Sequence, residues 1–397
     1  MSTQAPRPLD GITVVSLEHA IAAPFCTRQL ADMGARVIKV ERPGLGDFAR
    51  KYDERTRGMA SHFVWTNRSK ESLTLDLKHA DALPVMDALL AQADVLVQNL
   101  APGAAARMGL SFGALHARFP KLIVCDISGY GEGGPYETKK AYDLLIQSES
   151  GFVSVTGSPD APAKAGCSIA DIAAGSYAYS GILNALLLRA RTGLGSHLDV
   201  SMLESMVEWM SFPMYYAFEG AAPPQRAGAA HATIYPYGPF PVGDGNNVML
   251  GLQNEREWAV FCEKVLMQPE LAVAPDFESN SKRVANRDRL RGLIVEAFAA
   301  MTVDQVVQAL EDAQIANARV NEMKDVWAHP QLKARNRWTE VGSPVGALPA
   351  LWPPGSNSAF TPRMDPIPDV GQHTLAILKE LGVQDATIET LRADKAI

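Results

Sequence analysis

GITVVSLEHAIAAPFCTRQLADMGARVIKVE, residues 11–41, decides the fold. Its opening, GITVVSL (11–17), is a short apolar run with β-branched side chains, the pattern of a buried strand. APFCTRQLADMGA (23–35) spaces its apolar residues helically and carries Pro24, which a first helical turn tolerates. RVIKVE (36–41) returns to strand. A strand, a crossover helix and a second strand make a parallel pair with a helix on its face.

The same alternation continues outward. LTLDL (73–77), DVLVQNL (94–100) and KLIVCDIS (121–128) read as further strands. HADALPVMDALLAQA (79–93) reads as a helix in which Pro84 marks either the first turn or a kink. IAAGSYAYSGILNALLLRARTG (172–193) is a long helix former ending on Gly193, and SHLDVSMLESMVEWM (196–210) reads as strand then helix. Composition shifts at EGAAPPQRAGAAHATIYPYGPFPVGDGN (219–246), a Pro/Gly/Ala-rich stretch expected to be a linker. Beyond it, a strand at 247–252 and helices near 255–265, 284–300 and 303–313 suggest a smaller α+β unit, and two helical segments at 370–382 and 386–394 close the chain.

A chain of 397 residues is long for one core, so two domains are expected. Hydrophobic content of 47%, charged content of 20% and a net charge of −7 describe a soluble globular protein and argue against nucleic acid or a membrane as the main partner. Cys26, Cys125, Cys167 and Cys262 form no C-x-x-C pair and stand near no histidine at zinc spacing, so free thiols and no metal are expected. Neither an apolar signal core nor a transmembrane run of about 18 residues is visible, so the expected location is cytoplasmic.

GYGEGG (129–134) follows a strand and fits G-x-G-x-x-G, but Pro135 follows at once and no helix starts inside the motif. A glycine-rich active-site loop fits better than a dinucleotide site, which needs a helix N-terminus at the pyrophosphate. Arg42, Lys78 and Arg107 stand just beyond strands, where an open parallel sheet binds ligands, and three cations there suit phosphates. Asp171 sits in CSIADIAAG (167–175), among small apolar residues at the start of the long helix. Local sequence favours a helix N-cap. A carboxylate held in dry surroundings at a helix start is also a usable nucleophile, and the two readings are compatible.

The chain resembles the class III CoA-transferases, which include formyl-CoA transferase, carnitine CoA-transferase and α-methylacyl-CoA racemase. The resemblance runs through residues 9–47, NRSKESLTLDLK (67–78), ADVLVQNLAPGAAARMGL (93–110), SGYGEGGPY (128–136), 166–206, HATIYPYGPFPVGDG (231–245) and DVGQHTLAILKELG (369–382). It implies an α/β fold with a large Rossmann-like CoA-binding domain over 1–218, a linker and small α+β domain over 219–330, a return to the large domain over 331–397, and an interlinked homodimer. It places the nucleophile at Asp171, an acid beside the reacting thioester at Asp143, and CoA contacts at Ala22, Arg42, Leu75, Lys78, Asn99, Leu100, Arg107 and Lys140. The coenzyme A thioester is then a substrate, and neither metal nor prosthetic group is required.

Two departures narrow the resemblance. The racemase branch carries a proton-transferring histidine where this chain has Tyr142, and a phenol of pKa near 10 is a poor acid–base partner at neutral pH. The glycine tract that covers the aspartyl intermediate of formyl-CoA transferase has no counterpart. SLEHAIAAPF (16–25), GMASHFVWTNRSKES (58–72) and HATIYPYGPF (231–240) look most like the branch that acts on short dicarboxylates such as itaconate, mesaconate or citramalate, with succinyl-CoA as donor. Intramolecular mesaconyl-CoA transfer and acyl-CoA racemisation are the alternatives. A second substrate carboxylate calls for a cation or several donors, and His19, Arg68, His231 and Tyr237 are the candidates.

Overall fold

The computed structural model describes residues 5–397. The chain divides into two compact units. The first runs to Ser150, resumes over Ala165–Met210 and again over Leu332–Ile397; the second comprises Gly151–Lys164 and Ser211–Gln331. The break after Met210 falls inside a helix rather than at 218, because Ser211 leaves helical geometry (φ 30°, ψ −113°) two residues before Pro213.

The first unit is built on six parallel strands: β1 (Thr13–Leu17), β2 (Arg36–Glu41), β3 (Lys70–Thr74), β4 (Val95–Gln98), β5 (Ile123–Ser128) and β6 (His197–Ser201). They lie in the order β3-β2-β1-β4-β5-β6, with Val15 opposite both Ile38 and Leu96. This is the doubly wound order, and it reverses direction between β1 and β4. Helices α1 (Ala22–Asp32), α2 (Ser61–Thr66), α3 (Ala82–Gln92), α4 (Ala104–Arg107), α5 (Phe112–Arg118), α6 (Asp143–Glu149), α7 (Phe152–Val155, in the second unit), α8 (Ile169–Thr192) and α9 (Met202–Tyr216) follow. Pro84 is third in α3, so it marks a first turn. Gly193 closes α8 in the left-handed conformation with its N–H on the Arg189 carbonyl.

The C-terminal segment completes this unit. Thr374 Oγ1 accepts the N–H of Thr74 on β3, and Ile377, Leu378, Ile388 and Leu391 join the core formed by Val15, Ile38, Leu73 and Leu89. Among the described residues no single helix is long and apolar enough to cross a membrane.

The second unit holds β7 (Tyr237–Pro241), β8 (Asn247–Gly251) and β9 (Ala316–Arg319) in one antiparallel sheet. Its core gathers Phe240, Leu250, Trp258, Phe261, Leu290, Phe298 and Leu310. The expected linker therefore contains a strand. β7 is an edge strand whose Pro239 and Pro241 need not donate to a ladder, and that composition hides it from periodicity.

Glu18, just after β1, Lys39 within β2, Asp47 in the loop after it and Lys70 at the start of β3 form a quartet of buried charges. Lys39 Nζ stands 2.8 Å from Asp47 and 3.3 Å from Glu18, and Lys70 Nζ is 2.7 Å from Glu18. Burial alone would raise the Glu18 carboxyl, but Lys70 and Lys39 overcome it and hold Glu18 at about 2. Two negative and two positive groups balance only together. Lys70→Met is expected to cost roughly 3–5 kcal/mol in urea unfolding, because it leaves a buried charge unmatched. Glu18→Gln combined with Lys70→Met should cost less than the two single changes summed; additive losses would show that the pair is not coupled.

Candidate active site

At the strand-order reversal, a cavity of about 720 Å3 opens at the carboxyl ends of the strands, lined wholly by the first unit. Leu17 and His19 reach it from β1, Arg42 from β2, Leu75 and Lys78 from β3, Asn99 and Leu100 from β4, Ser128 and Gly129 from β5. Ala22, Leu75 and Leu100 give it an apolar lining, while Arg42, Lys78 and Lys140 are exposed cations around it. Arg107, expected beside them, ends α4 exposed to solvent and does not line the cavity. Asn99 faces the cavity, but its side-chain amide bonds both backbone groups of His19: Oδ1 accepts the N–H at 2.8 Å and Nδ2 donates to the carbonyl at 2.9 Å. The glycine-rich loop does border the site. Gly129 is required there because a Cβ would meet that of Ala141, another lining residue, at 2.3 Å.

Asp171 lines the same cavity, but it is not the helix cap. Ser168 holds that position, and Asp171 is the third residue of α8. The carboxylate that serves the helix start is Asp143, from the first position of α6. Its Oδ1 accepts the Ala170 N–H at 2.8 Å and its Oδ2 accepts the Gln147 amide at 2.6 Å. Asp171 accepts no hydrogen bond from a described residue. Burial, and then the neighbouring charge of Asp143, raise its pKa to about 7. One turn on, a Cβ at Gly175 would meet the Ala22 carbonyl oxygen at 2.6 Å, so α8 can approach α1 closely only with glycine there.

The candidates for a second carboxylate separate clearly. Arg68 is removed: it is 6% exposed and its guanidinium grips Asp32 through two 2.8 Å bonds. His231 belongs to the second unit, where Nδ1 accepts the N–H groups of Thr233 and Ile234 and the ring stacks on Tyr237 at 5.4 Å. His19 does line the cavity. Burial lowers its pKa, Lys39 and Arg42 lower it further, and Asp47 only partly opposes them.

Three ring-bearing lining residues were not candidates in the sequence: Phe48, Tyr52 and His62. With His19 they form a run of ring contacts, His19 on Phe48 at 5.2 Å, Phe48 to Tyr52 at 5.7 Å and Tyr52 edge-on to His62 at 5.4 Å. Their signal was composition alone, aromatic residues in loops and a six-residue helix without periodicity. A trio of potential metal ligands, Asp126, Glu132 and His197, also went unseen. Asp126 bonds His197 and Gln98 directly, each at 2.8 Å.

The model of CoA-transferase family III matches residues 9–374. The chain belongs to CoA-transferase family III. Human succinyl-CoA:glutarate CoA-transferase is 34% identical over 94% of this chain and 86% of its own length. Succinyl-CoA:mesaconate CoA-transferase of Haloarcula hispanica is 33% identical over 96% of this chain and 98% of its own. A CAIB/BAIF family protein from Brucella suis, solved by crystallography, is 35% identical with a TM-score of 0.84, covering 95% of this chain and all of that one. The protein is thus an enzyme of the family III CoA-transferase class.

The raised carboxyl has a consequence for stability. Asp171 keeps its proton up to about pH 7 in the folded enzyme but releases it near 4 when unfolded. The fold therefore loses stability as pH rises between those values and does not regain it above 7. Asp171→Asn cannot ionise and should melt above wild type at pH 8 but close to it at pH 4. Equal melting differences at both pH values would contradict this environment for the carboxyl.

Proposed function

We propose that this CoA-transferase moves CoA from an acyl-CoA donor, succinyl-CoA foremost, to a short dicarboxylic acid such as mesaconate, itaconate or citramalate, with Asp171 as covalent nucleophile. The observation that carries the reading is one carboxylate, without a hydrogen-bond donor among the described residues, opening onto a cavity bordered by the exposed cations Arg42, Lys78 and Lys140. The dicarboxylate is supported by the relatives named for glutarate and mesaconate.

In the proposed cycle the Asp171 carboxylate attacks the donor thioester carbonyl and expels CoA thiolate, leaving a mixed anhydride. The thiolate attacks the aspartyl carbonyl, forms aspartyl-CoA and releases the donor acid as its carboxylate. The acceptor carboxylate attacks aspartyl-CoA, giving a second anhydride and thiolate. Thiolate then attacks the acceptor acyl carbon, and Asp171 leaves as the free carboxylate. No electrons enter or leave, and every proton position is restored. Arg42, Lys78 and Lys140 are suited to the CoA phosphates. Oxyanion stabilisation from the start of α8 is not available from Ile169, Ala170 or Ile172, whose N–H groups bond Cys167, Asp143 and Ser168. Tyr142, 70% exposed at the cavity, offers no imidazole for α-proton transfer.

Asp171→Asn should leave the fold intact and lower transfer by several orders of magnitude, since an amide cannot open the thioester. Hydroxylamine added during turnover should modify the peptide holding Asp171; wild-type turnover in Asp171→Asn ends the nucleophile reading. For the wild type, kcat/KM should climb through a pKa near 7 as Asp171 ionises. Asp143→Asn removes one of the two causes of that raised value, so the acid limb should move to lower pH. A second measurement addresses the substrate: mesaconate should exceed oxalate in kcat/KM, and the reverse order would reject the dicarboxylate assignment.

A further inference from the structure

The ring wall beside Asp171 ends in a group that neither the catalytic cycle nor CoA binding uses. His62 lines the cavity, and its Nδ1 faces Asp53 Oδ2 at 3.5 Å. Asp53 is itself fixed by the Ser61 hydroxyl at 2.7 Å and by the N–H groups of Arg55 and Ser61, which hold its carboxyl well below the usual range. The imidazole thus has a fixed countercharge at one nitrogen, and Nε2 bonds no described residue. With protons on both nitrogens the ring presents a cationic N–H donor. Tyr52 touches it edge-on, and burial together with the charges of Asp47 and Asp171 pushes the Tyr52 phenol up to about 12, so it stays a donor throughout the working range.

The other cations and imidazoles lining the cavity do not fit the same role. Lys139 is paired with Glu149 at 2.5 Å and lies over the Tyr136 ring. Arg42, Lys78 and Lys140 are exposed, as a phosphate site requires. His19 carries its proton less readily than a free imidazole because burial and two nearby cations oppose the charge. Tyr52 and His62 line the same cavity as Asp171, and Tyr52 is close enough to the nucleophile to feel its charge.

We propose that His62, with Tyr52 beside it, receives the distal carboxylate of the acyl group and sets the preference of the enzyme for dicarboxylates. The assignment rests on the dicarboxylate reading above and adds the residues that enforce it. A dicarboxylate bound through its near end at Asp171 then places its far end on the imidazole and a phenol O–H, whereas a monocarboxylate of equal length leaves both unmatched.

The test is acceptor competition. Purified enzyme receives succinyl-CoA with equal glutarate and pentanoate, and early glutaryl-CoA and pentanoyl-CoA are quantified by mass spectrometry. The donor half-reaction is common to both acceptors and cancels from the ratio. His62→Gln should reduce the glutaryl-to-pentanoyl ratio about ten- to a hundredfold, the worth of one charged hydrogen bond, and His62→Arg should recover most of it. Tyr52→Phe keeps the ring and should reduce the ratio by roughly three- to tenfold. It carries the test by itself should His62→Gln fail to fold or turn over. An unchanged ratio in either variant that still turns over overturns the assignment and leaves the dicarboxylate reading standing. A wild-type ratio below one overturns the dicarboxylate reading itself.

Discussion

Four charges with no access to water, Glu18 and Asp47 against Lys39 and Lys70, must satisfy one another, and the architecture of the cavity follows from that. Lys39 comes from β2 and Lys70 from the start of β3, while Glu18 follows β1 at once, so the pairing ties three strands together. Asp47 extends the constraint into the loop after β2. Its Oδ1 accepts the N–H of Ala20 at 3.2 Å, where the backbone turns left-handed (φ 60°), and its Oδ2 meets Lys39. A non-glycine residue at such an angle persists only where its surroundings fix it. Here the Asp47 carboxylate and the Asn99 amide grip residues 19 and 20 from two sides, which sets the His19 ring against Phe48 and starts the ring wall.

The opposite side of the cavity is governed by close approach rather than by charge. Ala170, Ala173, Ala174 and Gly175 are fully buried or nearly so along α8, and Gly175 lets the helix press on the Ala22 carbonyl. The only charge identified as acting on Asp171 is another carboxylate, Asp143, which is already bonded to the helix backbone and to Gln147. The two acids differ in their partners: Asp143 has a donor on each oxygen, one of them from the start of α8, and Asp171 has none among the described residues.

The parallel sheet was legible because its buried strands are apolar runs and its long helices periodic. GITVVSL, RVIKVE and KLIVCDIS each contain an observed strand, and Gly193 ends α8 where a left-handed cap was expected. β7 and β9 were not legible: one is proline-rich, the other, ANAR, is short and without alternation, and both gain their order from pairing with β8. Asp171, Asp143, Arg42, Lys78 and Lys140 were legible from resemblance, and the fold brings them to one cavity. The cap was misplaced because a local reading cannot see Asp143 arriving from 27 residues away. Arg68 looked like a substrate cation because nothing in sequence announces its partner, Asp32, 36 residues earlier. Tyr52 and His62 were not singled out, although His62 lies in a stretch read as dicarboxylate-like, since their meaning lies in rings that meet across loops.

The raised carboxyl also bears on the direction of the proposed cycle. In the mixed anhydride, thiolate has two carbonyls to choose between. Attack at the aspartyl carbon expels the substrate acid; attack at the substrate acyl carbon expels Asp171. The weaker base leaves more readily. An aliphatic acid with a pKa near 4 to 5 is a weaker base than a carboxylate whose site raises it to about 7. In the proposed cycle the environment of Asp171 would thus bias each anhydride toward aspartyl-CoA, in both halves. This has a use: the anhydride is the species water would hydrolyse fastest, while the thioester is the species that must wait for donor acid to depart and acceptor acid to enter. Burial and the Asp143 charge oppose ionisation of Asp171, and in the proposed cycle that same opposition would move the waiting step onto the more durable intermediate.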